Sequence, residues 1–227
     1  MFKIFAVVVV FAAGAICQDS TSNADFTHAP ALDLLGGSAA VSASDASYTP
    51  LTFGEKYLIS LHRTVAPADW AGFALRSTLD QLWSRPVTWG SGPQSFGIQM
   101  ASHFGLRLLN ENLAFGVRAI DHEDPRYFRL GHGSVWRRTR FAIVHTFAVR
   151  NDNGSEMPAY SLFFASFATP AIAHEWRPGP FNPHREMGAG SIGVSVGIAE
   201  SVWREFAPDL RQHLPRRIQR LLPPNPE

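Results

Sequence analysis

The chain has one cysteine, two lysines and, past its first residues, no long apolar run. A lone Cys17 rules out an intramolecular disulfide. Lys3 and Lys56 are the only lysines, so nearly all fixed positive charge is arginine. The guanidinium fork pairs bidentately with carboxylate or phosphate and tolerates partial burial better than an ammonium group, although a GC-rich coding sequence gives the same skew. The formal net charge of +1 supplies no global field toward nucleic acid, so nucleic acid is not an expected partner. The uncharged run from Met157 to Ala173 stands at the lower edge of the length a spanning helix needs. The 45% hydrophobic content across 227 residues is too low for a polytopic protein built only of spanning helices and ample for one core.

What is present begins with an export signal. Lys3 supplies a positive n-region, Ile4 to Ala13 an apolar h-region, and small residues at Ala13, Gly14 and Ala15 a cleavage region. Residues 1–17 are read as a signal peptide. Lipidation of Cys17 is disfavoured by Ile16, where a small residue is wanted, and an uncleaved anchor is the runner-up. Residues 18–50, rich in Ser, Ala, Asp and Thr, are too poor in large apolar groups to offset ordering entropy and read as a flexible leader. A helical domain is expected over 51–222, with a short tail at 223–227.

Helical spacing of apolar residues starts at Tyr57, Leu58, Leu61 and Val65. Pro67 opens a second helix, and Gly90, Gly92 and Pro93 mark a loop before a third from Gln94 to Ile120. Further helices are expected at 141–149, at 157–173 with a kink at Pro170, and at 187–199. Small residues recur every fourth place in three sets: Gly97, Ala101 and Gly105; Ser161, Ala165, Thr169 and Ala173; Ala189, Gly193, Gly197 and Ser201. Such stripes let helix backbones approach closely. The fold class is therefore all-α, a compact bundle of about five or six helices, half-inserted in a membrane or mutually buried, with at most one or two spans. The competing strand alternation at Ile192, Val194, Val196 and Ile198 resembles an outer-membrane barrel strand, but it is the one clear instance, and a barrel needs at least eight.

The densest polar chemistry lies in Asp121 to Arg150. Arg126, Arg129, Arg137, Arg138 and Arg140 occur there with no acid between the first and the last. They are the expected binding residues for a carboxylate or a phosphate headgroup. Ser134 is placed to cap the helix carrying the last three. Asp121, Glu123 and Asp124 are the nearest acids, so an arginine–carboxylate clasp folding across Gly131-His132-Gly133 is the leading structural expectation. Candidate catalytic side chains are His122, Asp124, Arg126, Arg138 and His145. No metal site or cofactor is expected, because H-E-x-x-H fails at its second histidine after His122-Glu123. Gly193-Val194-Ser195-Val196-Gly197 matches G-x-S-x-G literally, with Asp209 and His213 following, yet no βαβ alternation precedes it. A type-2 phosphatidate phosphatase motif fails too, with Thr139 and Val149 where Arg and Asp should stand. Beyond Trp203, Arg211, Arg216, Arg217 and Arg220 interleave with Leu214, Ile218, Leu221 and Leu222, a tail that suits anionic lipid or solvent.

Asp124-Pro125-Arg126-Tyr127-Phe128, Arg140 to His145, Asn151-Asp152-Asn153-Gly154 and Arg204 to Asp209 together resemble a group of uncharacterised exported bacterial proteins with a D-P-R-Y-F/Y signature. The resemblance spans about residues 53 to 217 and implies export and helical character, not a reaction. The expected function is that of an exported, membrane-associated structural protein of the bacterial envelope, with membrane lipids as the partner class and no protein partner indicated. The alternative is a membrane enzyme acting on lipid or polar headgroups through the His/Asp/Arg cluster. A third reading is a soluble periplasmic binding module.

Overall fold

A computed structural model describes residues 40–42, 49–83 and 86–213. The expected signal peptide, most of the expected leader and the tail beyond His213 lie outside the described residues. Helix α1 (Phe53–Val65) starts with a capping box: Thr52 Oγ accepts the Glu55 amide, and the Glu55 carboxylate accepts the Thr52 amide. Pro67 at the first position starts α2 (Pro67–Leu82), and Pro93 starts α3 (Pro93–Asp121). Gln81 holds the connection between them, donating to the Gly92 carbonyl at 3.2 Å and accepting its amide at 3.0 Å. Ser134 caps α4 (Val135–Phe147) as its spacing predicts, accepting the Arg137 amide. Helices α5 (Tyr160–Ala173, containing Pro170) and α6 (Pro183–His213) complete six α-helices among the described residues.

Helix α3 packs on α1, α2 and α5, while α6 packs on α5 and α4. The shared α5–α6 contact joins these two groups into one bundle, so the all-α expectation holds. The stripe Ser161, Ala165, Thr169, Ala173 is wholly buried. Opposite it, a Cβ added at Gly193 would meet Ser166 at 3.2 Å, one at Gly197 would meet Leu162 at 2.9 Å, and one at Gly190 would enter the Phe167 ring at 2.2 Å. Two of the three stripes thus bring backbones together. The third does not: Gly97 and Ala101 face outward, and only Gly105 approaches a neighbour, the Trp176 ring at 3.9 Å. On α3 the inward face belongs instead to Ser95, Gln99, Ser102 and Leu109.

Short strands are the element that periodicity missed. β1 (Ala40–Ser42), inside the expected leader, pairs in parallel with β2 (Tyr127–Arg129). β3 (Ala148–Arg150) pairs antiparallel with β4 (Glu156–Pro158), so the helix expected through Val149 ends at Phe147. The apolar run from Met157 is therefore part strand, and its helix has only 14 residues. No helix among the described residues is long and apolar enough to cross a membrane. The alternating segment 192–198 is helical throughout.

A direct check lies at the α5–α6 contact. Gly190→Ala is expected to lower stability by about 1–3 kcal/mol through overpacking against Phe167. Gly188→Ala, on the same helix with open space at its Cβ, should be neutral or stabilising by up to ~1 kcal/mol. Chemical denaturation of both variants reads the difference.

Candidate functional site

The arginines of the 126–140 segment do form a clasp, but its carboxylates come from α6. Glu205 is completely buried. Its side chain accepts from Arg138 Nε at 2.8 Å, Gly131 N at 2.9 Å, Leu130 N at 3.0 Å and Tyr127 Oη at 3.2 Å. The left-handed φ of +72° at Gly131 follows the turn in which both amides reach the same carboxylate. The Glu205 backbone carbonyl accepts from Arg138 Nη2 at 2.6 Å and Arg129 Nε at 3.1 Å. One turn on, Asp209 bonds to Arg129 Nη2 at 2.6 Å and to Arg138 Nη1. Phe206 lies under the Arg138 guanidinium at 4.4 Å. Pro208, lacking an N–H, interrupts the ladder of α6 in this same turn.

Electrostatics follow from the geometry. Burial, then the Glu205 charge, raises the Tyr127 phenol, so it remains a donor. Burial alone would raise the Asp209 carboxyl, but bonding to Arg138 and the charges of Arg129 and Arg138 outweigh it and hold it below its usual value.

The acids nearest in sequence serve other ends. Glu123 bonds the Ser161 amide at 3.2 Å and the Ser161 hydroxyl at 2.5 Å, a carboxylate at the positive end of α5. Asp124, fully buried, folds back on its own neighbour, accepting from Arg126 N at 2.8 Å and Nη2 at 2.6 Å. Of Asp121, the backbone carbonyl accepts from Asn151. The expected closure by Asp121, Glu123 and Asp124 across the glycine turn is thus replaced by Glu205 and Asp209.

The five candidate catalytic side chains divide among separate contacts. Arg126 belongs to Asp124, and Arg138 to Glu205 and Asp209. His122 closes α3 in the left-handed conformation (φ +58°), its ring exposed and 3.4 Å from Asp152, which also pairs with the buried Lys56. His145 stacks on Phe141 at 3.8 Å, contacts the Phe141 carbonyl at 3.0 Å and Glu156 at 3.2 Å. Arg137 and Arg140 are exposed on α4, while Arg129 joins the clasp. Ser195 lies mid-helix, its hydroxyl donating to the Ser191 carbonyl, so the G-x-S-x-G match has no strand-to-helix elbow.

Sequence reasoning missed a second charged cluster between α1, α2, α3 and α6. Arg107 contacts Glu111 at 3.3 Å, Asp69 at 3.4 Å and Glu200 at 3.8 Å. Arg118 lies 3.6 Å from Glu111, and Arg204 bonds Glu200 at 3.2 Å. Burial would raise the Glu111 carboxyl, yet Arg107, Arg118, Arg63 and Arg204 together lower it. The signal was there: Arg107, Glu111 and Arg118, the charged residues of α3 ahead of Asp121, are spaced four and seven apart and share one face.

Removing the hub carboxylate with Glu205→Leu strands Arg138 and should cost about 3–5 kcal/mol. Asp209→Asn, at the partly exposed end, should cost about 1 kcal/mol or less. Urea unfolding of each variant measures the contrast. Acid should destabilise the fold as well. Glu111 and Asp209 both have folded pKa values below their unfolded ones, so their contribution is complete above about pH 4.5 and is lost as pH falls through the folded values. Asp69, raised mainly by burial, opposes this. The urea midpoint followed from pH 6 to 3 should fall in wild type and fall less steeply in Glu111→Gln. No family model, curated protein or solved structure matches the chain.

Proposed function

We propose that the chain is an exported, non-catalytic structural protein of the bacterial envelope that lies partly inserted in a membrane surface. One observation carries this reading: many polar side chains are buried while many large apolar ones stand exposed. The largest fully buried side chains include Gln99, Glu205, Thr64 and Asp124. By contrast Ile120 (78%), Trp136 (76%), Leu82 (73%) and Val135 (71%) stand in the open. Single exposed apolar residues are ordinary, but whole apolar faces mark contact with lipid or another surface.

The exposed groups follow helix faces. On α6, Ile192, Val196 and Trp203 are spaced four and seven apart; on α5, Tyr160, Phe163 and Phe164 are exposed together. On α4, Val135 and Trp136 adjoin the exposed Arg137 and Arg140, the aromatic-and-basic mixture that suits the headgroup boundary. The 13- and 14-residue helices α4 and α5, with such faces, fit a layer of partial depth. A headgroup enzyme using His122, Asp124, Arg126, Arg138 and His145 is less favoured, because each side chain is engaged in contacts of its own.

Membrane fractionation of the expressed full chain tests the reading. It should stay in the membrane pellet through a high-salt wash and be released by detergent. Release by salt alone would favour a soluble periplasmic module instead.

A further inference from the structure

The interior of the bundle holds a cavity of about 300 Å³ between α3, α5 and α6, within the range of small-molecule sites. Its charged wall runs along α3, from His103 through Arg107 and Glu111 to Arg118, and Arg63 enters from α1. The facing wall mixes apolar and polar groups: Leu162, Ala165, Ser166 and Thr169 of α5 with Ile192, Val196 and, at its end, Glu200 of α6. The same small-residue stripes that let α5 and α6 meet therefore line one side of the cavity.

Two arginines at this end are incompletely satisfied. Arg63 is 5% exposed and donates through Nη2 to the Pro125 carbonyl at 2.6 Å, but its Nε has no hydrogen-bond partner among the described residues. Arg118, 9% exposed, is in the same state at Nε, and its Nη1 contacts are long: 3.5 Å to Ser60 and 3.6 Å to Glu111. Arg107 is occupied by Asp69, Glu111 and Glu200. The cluster thus sets four arginines (63, 107, 118 and 204) against three carboxylates. A buried guanidinium without an acceptor is costly, whereas an oxyanion accepts from several N–H groups at once.

We propose that this cavity binds an oxyanion, a phosphate or carboxylate group, between Arg63 and Arg118, with any apolar part of the ligand lying along Leu162, Ala165, Ile192 and Val196. Burial, reinforced by the charges of Arg204 and Arg118, lowers Arg63 to about 9, so it stays cationic at neutral pH in surroundings short of negative charge. Glu111, whose Oε2 also has no hydrogen-bond partner among the described residues, adds an acceptor for a ligand hydroxyl or a protonated phosphate oxygen. Ile192 and Val196 line the cavity and are themselves exposed, which places its opening on the apolar face of α6. An amphiphile could enter there head first. The site does not depend on the membrane reading, since a free anion needs no bilayer to reach it.

Thermal unfolding of the full chain in neutral detergent tests this, with inorganic phosphate, short-chain phosphatidate or octanoate added and chloride at matched ionic strength as reference. At least one probe should raise Tm with saturation, by about 5–10 °C at roughly a hundredfold excess over its Kd. Response to phosphate alone names a free anion, and response to phosphatidate or octanoate alone names an amphiphile. Arg63→Met and Arg118→Gln should abolish the shift, while Arg185→Ala, at the exposed start of α6 and outside the cavity lining, should retain it. Should both cavity variants fail to fold, phosphorus NMR on wild type decides: the phosphate or phosphatidate signal should broaden on adding protein, and octanoate should reverse this if carboxylates share the site. Absence of a shift with every probe overturns the proposal, as do equal shifts in the cavity variants and wild type, or unbroadened phosphorus signals where phosphate or phosphatidate is the probe that raised Tm.

Discussion

A carboxylate with no access to water must be matched donor by donor, and Glu205 meets that demand by drawing in three separate parts of the chain. Tyr127 and the amides at 130 and 131 come from the loop after α3, Arg138 from α4, and the carboxylate itself from α6. The cost of leaving any of these groups unpaired in the interior far exceeds the modest net gain of an ordinary hydrogen bond. The arrangement therefore specifies where α4 and the 127–131 loop sit against α6. Its weight in the fold comes from what misplacement would cost.

The α5–α6 contact works by a different rule. Glycines at 190, 193 and 197 remove the side chains that would hold the helices apart, and the buried stripe from Ser161 to Ala173 presents little bulk in return. Where small residues fill the inner faces, large apolar ones are displaced to the outer faces. This is why α5 and α6 show phenylalanines, Ile192, Val196 and Trp203 outward while serine, threonine and alanine are enclosed. Close packing, polar interior and apolar exterior are one design seen from three sides.

Local chemistry was legible in the sequence, and distant pairing was not. Pro67 and Ser134 marked helix starts, because the residue that starts a helix acts within one turn, whereas Pro93, read as the end of a loop, is itself the first residue of α3. The stripes on α5 and α6 were readable, since a four-residue period fixes a face. Whether that face meets a neighbour is a tertiary matter, and Gly97 and Ala101 turned outward. Strands of three residues are too short to display a period. The partner of Arg138 stands 67 residues away, so proximity in sequence pointed wrongly to Asp121, Glu123 and Asp124. Arg63, in the last turn of an amphipathic helix, has the sequence signature of a solvated cation; only its neighbours reveal it as buried.

The most direct test of the central claim is a double-mutant cycle between Arg138 and Glu205, using Arg138→Met and Glu205→Leu alone and together, with stability read by urea unfolding. If the buried pair organises the fold, each single change leaves its partner uncompensated and the double variant recovers much of the loss, giving a coupling of about 2 kcal/mol or more. Additive losses in the double variant would contradict the account.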